Sequence, residues 1–495
     1  MSEHLPALQV VIALTAAPLV MMMNRFPRLA WGVTLVTCWA TLVVAVLLLL
    51  QVSDGSVIHY EMGGWAPPWG IEYRVDGANA WVLLIIGLVS AVVMPFALRS
   101  VEQEIPADRI GLFYSAFLLA NAGLLGIAIT NDAFNIFVFF EISALASYAL
   151  IAMGRDRRAM LSSYQYLIMG TVGTTFLLIG IGFLYIMTGT LNISDLAMRL
   201  PEVTETRTIR AAFAFIAVGI SLKLALFPLH LWLPNAYSFA PSMVTVFLSA
   251  TATKVAIYVL LRFIYTAFGF EFSFEELSVA WVLMPLALLG IIIPSVIAVF
   301  QEDVKRLLAY SSVAQVGYMI LGISFATALG LMASVVHLFN HAITKAALFM
   351  AVGCLVYRLG GVSLSRIAGV AERMPWTMAA FVVAGLSLIG VPLTAGFVTK
   401  WHLLQAALME GLWPVAVVLL VISLVAAVYI WKVVEAAYFR PAPEDAREIR
   451  EAPLSLLVPT WVLTATTIIF GVWAQFPISA ARNAAEALLG VPQSW

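Results

Sequence analysis

The chain has 495 residues, 62% of them hydrophobic and only 11% charged, against about 45–50% and about 25% in soluble domains. That composition excludes a sizeable soluble enzyme domain and implies an integral membrane protein. Charge is nearly balanced, with 26 Lys and Arg against 27 Asp and Glu, and the basic residues are spread out, which argues against nucleic acid as a partner. A helical span needs about 20 mostly apolar residues. Runs of that kind, bounded by charges, prolines and glycines, predict about fourteen spans at 7–23, 29–51, 78–98, 110–130, 132–153, 161–188, 209–238, 241–267, 279–299, 305–325, 328–358, 376–410, 412–439 and 454–475. The first is read as a retained span, because Glu3 and His4 stand where a signal peptide carries basic residues. The runs lack the ten-residue alternation of barrel strands, so the predicted class is an all-α polytopic membrane protein. Cys38 and Cys354 fall inside spans and read as apolar packing residues, not as a disulfide or a metal set.

Lysine and arginine in the loops set the orientation. Loops after odd-numbered spans hold Arg25, Arg28, Arg99, Arg109, Arg155, Arg157, Arg158, Lys305, Arg306, Arg358, Arg366, Arg373, Arg440, Arg447 and Arg450. Loops after even-numbered spans hold Arg74, Arg199, Arg207 and Arg210. The positive-inside rule puts the odd loops in the cytoplasm and both termini outside.

Two spans carry internal prolines. The seventh reads "AVGISLKLALFPLHLWLPNAYS", with Pro228 and Pro234, and the twelfth reads "VVAGLSLIGVPLTAGFVTKWHLLQAAL", with Pro392 between Gly390 and Gly396. Proline removes an intrahelical hydrogen bond, and the freed carbonyls need protein or water at membrane depth. Paired broken helices, each with a lysine close by, point to a transport site and an inverted repeat. Their five-span separation predicts an N-terminal segment 1–109, a first repeat 110–267, a second repeat 268–440 and a C-terminal helix in 441–495.

Ionisable residues inside spans cost at least about 2.5–3.5 kcal/mol at the centre, so each is a functional candidate. Glu141 follows Asp132 by nine residues, or roughly 14 Å at 1.5 Å per residue. Lys223 precedes Pro228 and Lys254 lies mid-way through the eighth span. His337, His341 and Lys345 are spaced i, i+4 and i+8 on the eleventh, Lys400 follows the second break, and Lys432 lies in the thirteenth. His230 reads equally as a relay or as a cap on broken backbone. Lys432 reads as an intrahelical partner of Glu435 or as a relay, and Arg262 as a side chain snorkelling to the interface. The HxxxH spacing lacks a carboxylate or cysteine, and Lys345 would repel zinc, so no metal is implied. The set suits protons: a desolvated lysine releases its proton more readily, a nearby carboxylate opposes that, and histidine relays near neutral pH. No Asp-rich or carbonyl-rich cage for Na⁺ is present in the sequence. The helix dipole predicts that Lys223, in a last turn, holds its proton more firmly than Lys400, near a helix start.

"FFEISALASYAL", "SLKLALFPLHLWLPNAYSFAPS", "VKRLLAYSSVAQVGYM" and "HLFNHAITKAALF" closely resemble signature segments of the proton-translocating antiporter-like membrane subunits shared by respiratory complex I, membrane-bound hydrogenases and Mrp-type multisubunit Na⁺/H⁺ antiporters. The resemblance implies fourteen helices, two inverted five-helix repeats, broken helices 7 and 12, and a hydrated mid-membrane axis. By motif, Glu141 looks like the fifth-helix carboxylate that pairs with the seventh-helix lysine, Lys223. Lys254 resembles the eighth-helix relay, His337, His341 and Lys345 the eleventh-helix relay, and Lys400 the twelfth-helix exit group. Lys400 departs from the glutamate typical of the middle complex I subunit. Up to Trp495 the chain has neither the lateral helix of the largest complex I subunit nor the further spans of the large A-type Mrp protein. Together with "FFEISALASYALIAMGRD" and "LIGVPLTAGFVTKWHLL", this looks most like the D-type member of the Mrp antiporters.

The resulting expectation is a non-enzymatic, cofactor-free subunit of a cation/proton antiporter in a bacterial inner membrane. Its partners would be other membrane subunits, protons, and Na⁺ or another monovalent cation moving through the complex. A redox-driven pump subunit of complex I or hydrogenase type is the alternative. An organic-solute transporter or a non-transporting scaffold fits the buried charges less well.

Overall fold

The computed structural model describes residues 2–442 and 449–490. Arg447 and Trp495 lie outside them. In chain order the elements are α1 (Leu5–Met22), α2 (Pro27–Gln51), β1 (Ile58–Glu61), β2 (Glu72–Val75), α3 (Gly77–Glu104), α4 (Ile110–Ile129), α5 (Ala133–Ala152), α6 (Arg157–Thr188), α7 (Ile193–Arg199), α8 (Arg207–Leu224), α9 (Trp232–Phe239), α10 (Ser242–Leu261), α11 (Ala280–Val299), α12 (Val304–Ser324), α13 (Ala328–Leu359), α14 (Pro375–Ile389), α15 (Ala395–Met409), α16 (Trp413–Phe439), α17 (Leu454–Val472) and α18 (Gln475–Leu489). Among the described residues twelve helices are long and apolar enough to cross a membrane. The half-helix pairs α8/α9 and α14/α15 stand where the seventh and twelfth spans were predicted, completing an all-α polytopic fold.

Helix starts follow side-chain chemistry. Asp76, Asp132, Asp156, Thr206, Asp303 and Thr327 each accept a backbone N–H of the first turn of the helix they precede, satisfying donors that a helix leaves unpaired. Burial then sorts the helices. In α10, with its π-helical extension to Ala267, and in α12, 94% of the most apolar stretch is buried inside the protein, against 33% in α16. The interior is therefore built from α10 and α12 with α3, α4 and α13 around them, while α1, α2, α11 and α16 show apolar side chains to the surroundings.

The connections separate onto two faces. On the even-numbered face β1 pairs antiparallel with β2, Tyr73 bridges to Thr130, and Asp132 bridges to Asn192. Glu72 ties this face together by accepting from Asn131 at 2.7 Å, Asn192 at 2.8 Å and the His59 ring at 2.5 Å. Burial alone would raise the Glu72 carboxyl, but these hydrogen bonds outweigh it and hold it below the ordinary value. On the odd-numbered face Ser242 N–H donates to Glu104, Lys305 to Ala240 O and Arg358 to Glu451 O.

Arg262 does not snorkel. It is buried, and its guanidinium bonds Asp76 and Tyr258, because the cap of α3 lies beside the end of α10 and offers a carboxylate closer than the interface. Lys432 and Glu435 do not pair with each other. Lys432 donates to Val299 O, Gln301 O and Glu302, while Glu435 takes Arg440 at 2.7 Å, since both partners lie at the odd-numbered face beyond the helix.

The two breaks resolve their freed backbone groups differently. After α8, Ala225 takes a left-handed conformation (φ 60°), and Leu222 O accepts the Trp232 indole N–H at 3.0 Å. After α14, Gly390 supplies the left-handed residue (φ 89°), the Ser387 hydroxyl receives the Gly396 N–H, and Ile389 O receives Lys400 Nζ at 2.6 Å. Side chains thus take one freed carbonyl at each break, and neighbouring backbone N–H groups take Ser221 O and Leu386 O.

Candidate functional site

The predicted ionisable residues fall into two groups along the axis. In the first, Glu141 on α5 faces Lys223 in the last turn of α8. Lys223 Nζ stands 5.7 Å from the Phe140 ring centroid, and neither it nor Glu141 Oε1 has a hydrogen-bond partner. The charges interact across space without a closed ion pair. Gly170 on α6 makes room for them, because a Cβ there would strike the Tyr148 hydroxyl and stand 3.5 Å from Lys223 Nζ.

The second group surrounds α13. Lys254 is 1% exposed and bonds Ser249 O and Thr253. It lies within electrostatic reach of His337, His341 and Lys345. The predicted stripe on α13 is real: the two histidine rings stack at 5.6 Å, and all four of their nitrogens are buried without a partner. Lys345 is wholly buried and donates to Leu308 O at 2.8 Å and to Ser311. Lys400 Nζ donates to Ile389 O and to the Ser423 hydroxyl at 3.0 Å, 5.1 Å from the centre of the Tyr318 ring.

This last contact corrects the dipole expectation. Lys400 belongs to α15, but its chain reaches back over Gly390 to the final carbonyl of α14. The ammonium therefore sits at a negative helix end, as Lys223 does, and not at a positive one.

Between His337, His341, Asn340, Thr344, Ser387 and Lys400 lies a cavity of about 10 Å³, roughly one water probe in size. Its rim carries acceptors and donors left open, including the histidine nitrogens and Asn340 Oδ1. Such a space can carry a proton between His337 and Lys400 through a single water.

Several lining groups were not singled out from sequence. Tyr148 packs edge-on against Tyr166 at 4.7 Å, and Tyr166 stacks on Trp232 at 4.0 Å. Tyr237 reaches the neighbourhood of Thr253, which contacts Lys254. Tyr148 thus lies beside the Lys223 group and Tyr237 beside Thr253, with the Tyr237 hydroxyl donating to Leu248 O at 3.1 Å. Tyr148 had a usable signal, being seven residues after Glu141 and hence on the same helical face. His230 is buried beside Phe227 and its ring reaches the Pro228 backbone, while the Trp232 indole takes Leu222 O, so both side chains meet the broken backbone. Lys432 lies at the odd-numbered face, apart from the axis group. Pro228 and Pro392 both fall in the breaks.

On the odd-numbered face a cavity of about 390 Å³ is lined by Glu104, Arg158, Asp303 and Lys305, among others. Burial pushes the Asp303 carboxyl up against the lowering effect of the Arg306 amide and the Lys305 charge.

Comparison with known proteins gives the family. Residues 130–426 match the family described as NADH:quinone oxidoreductase/Mrp antiporter, TM. The chain is 41% identical to the N-type membrane protein of the NADH-quinone oxidoreductase of Desulforudis audaxviator, over 97% of this chain and 98% of that one. It is 29% identical to the D-type protein of the Na⁺/H⁺ antiporter of Alkalihalophilus pseudofirmus, over 90% of each chain. A chain of the Mrp complex from Dietzia sp. superposes with a TM-score of 0.89 at 28% identity, covering 99% of this chain and 97% of that one. The chain belongs to the NADH:quinone oxidoreductase/Mrp antiporter family of transmembrane proteins.

Proposed function

We propose that this protein is the proton-translocating subunit of a multisubunit cation/proton antiporter in a bacterial plasma membrane, with its even-numbered face and both termini outside. The observation that carries the reading is the line of buried ammonium and imidazole groups, Lys223, Lys254, His341 and His337, that ends at the half-buried Lys400. Among the described residues none of these has a carboxylate within ion-pair distance. A buried charge without a closed ion pair is expensive and serves a conducting path better than stability. Protons enter at Glu141 and Lys223, pass the tyrosine hydroxyls to Lys254 and the α13 stripe, and leave from Lys400. Lys345 and His230 adjust the field along that line. Residues 110–267 and 268–440 act as equivalent halves, supported by the corresponding breaks and by a lysine at the C-terminal end of each first half-helix. Other membrane subunits carry or share the route of Na⁺ or another monovalent cation, a reading supported by the similarity to the Mrp complex chain.

Glu141→Ala and Lys223→Ala abolish salt-dependent dissipation of ΔpH in membrane vesicles while the assembled complex persists. Normal antiport in either variant refutes the role of the pair. A second reading, in which electron transfer in partner subunits drives the same path, is favoured by the 41% identity to an NADH-quinone oxidoreductase subunit. Purification of the native complex decides between them: iron–sulfur or flavin subunits support the redox pump, and small hydrophobic partners alone support the antiporter.

A further inference from the structure

Near the odd-numbered face a groove of about 460 Å³ lies between α6, α9 and α12. Its outer wall is apolar and open to the surroundings: Leu231 is 70% exposed and Ile168 46% exposed, with Met169 beside them. Its inner end is different. Arg306, the third residue of α12, contributes a guanidinium whose Nε is buried without a hydrogen-bond partner. Among the described residues no carboxylate forms an ion pair with it: Asp303 accepts the Arg306 backbone N–H as the cap of α12, and Asp156 holds Arg158 at 2.7 Å. Asn235 donates one amide hydrogen to Gln165 Oε1 at 2.9 Å. Each of these amides carries two N–H donors, so donors remain on both beside the guanidinium.

A cation and amide donors on neighbouring helices, with an apolar trough running away from them, match a molecule that is anionic at one end and apolar along the rest. A soluble anion would leave the trough empty, and a neutral amphiphile would leave the Arg306 guanidinium uncompensated. We propose that the groove binds an anionic phospholipid, its phosphate against Arg306 and the Gln165 and Asn235 amides, and an acyl chain along Ile168, Met169 and Leu231. Trp232 forms part of the same wall and caps Leu222 O, one residue before Lys223. The bound lipid therefore rests against the side chain that closes the first helix break.

The test uses the full chain in its assembled complex, in membranes containing diazirine-bearing phosphatidylglycerol or phosphatidylcholine, with cross-links mapped by peptide mass spectrometry. Phosphatidylglycerol labels peptides carrying residues 164–169, 231–235 or 306–310 about fivefold more than phosphatidylcholine, the effect of one basic residue near an anionic headgroup. Arg306→Gln removes that preference, Arg306→Lys restores most of it, and Arg207→Gln on the opposite face leaves it intact. Leu231→Trp, which fills the trough without touching Arg306, lowers labelling by both lipids, so a poorly assembled Arg306 variant does not close the question. Equal labelling by the two lipids overturns the proposal. So does loss of labelling on addition of inorganic phosphate, which marks a simple anion site, and so do cross-links from these peptides to a neighbouring subunit in place of lipid.

Discussion

Replacing Gly390 by alanine separates the backbone at the second break from the lysine that lies over it. Gly390 has φ 89°, and a Cβ there would stand 2.7 Å from Lys400 Cδ and 3.5 Å from Nζ. The left-handed conformation costs a non-glycine residue about 1–2 kcal/mol. The clash adds to this, because Lys400 must give up the position from which it donates to Ile389 O and Ser423, and a hydrogen bond to a charged group contributes about 1.5–3 kcal/mol. The total is about 2.5–5 kcal/mol if one bond is lost. Gly360→Ala supplies the reference, since Gly360 has φ 72° and nothing within 4 Å of a Cβ, so it bears the backbone term alone. Thermal unfolding of the purified protein should show the larger drop for Gly390→Ala. Vesicle ΔpH dissipation, normalised to assembled protein, should fall at least about tenfold for Gly390→Ala, since about 1.36 kcal/mol is tenfold, and stay near wild type for Gly360→Ala. In a Lys400→Met background Gly390→Ala should remove little further transport, because the two changes act through one side chain. Equal transport by the two single glycine variants would refute the placement of Lys400 over the break.

Three further outcomes follow from the same structure. Because hydrogen bonds hold the folded Glu72 carboxyl below its ordinary value, its contribution is full above the unfolded carboxyl pKa and is lost as pH falls through the lowered folded value; hydrogen-exchange protection of β1 and β2, corrected for the intrinsic rate, should fall below about pH 4.5, and Glu72→Gln should flatten that dependence. Arg262→Met leaves Asp76 buried with only the more distant Arg74 guanidinium at 3.8 Å and should destabilise by up to about 3–5 kcal/mol, whereas the double variant Asp76→Asn/Arg262→Met should recover part of that loss; a double variant worse than the single one would show that the ion pair is not the cause. Asn340→Leu removes donors to Ala395 O and Thr399 and fills the one-water space, so it should cost about 1–3 kcal/mol and slow proton transport more than Thr460→Val, a buried change on α17 away from the axis, with both read in the same vesicle assay.

The spans were legible because continuous apolar length is set by bilayer thickness and needs no partner to be recognised. The breaks were legible because proline and glycine declare them, and the α13 stripe because helical period alone aligns His337, His341 and Lys345. What was hidden depended on distance in sequence or on dual chemistry. Arg262 read as interfacial because its partner Asp76 lies 186 residues away. Tyr148, Tyr166 and Tyr237 were not singled out, since a tyrosine offers an apolar ring and a hydroxyl and only the fold says which one is used. The hairpin and α7 are short and polar. In α18 buried Ala481, Ala484, Ala485 and Leu488 mark a narrow stripe too weak to compete with the longer apolar runs.

The position of Lys400 also changes how a direction for proton movement can arise. The dipole reading gave the two lysines opposite helix ends and so a built-in difference between them. With both ammonium groups at the C-terminal ends of broken helices, that difference largely cancels, and what remains is set by neighbours. Lys400 is held by a carbonyl and a hydroxyl, neutral partners fixed by the backbone of α14 and by α16. Lys223 faces a carboxylate it does not touch, so its charge is stabilised by an amount that depends steeply on the Glu141 distance in a low-dielectric setting. In the proposed cycle the first half is therefore the adjustable one. Closing or opening the Glu141 contact changes proton occupancy at Lys223, and the repulsion passed along Lys254, His341 and His337 drives release at Lys400, whose own surroundings stay constant.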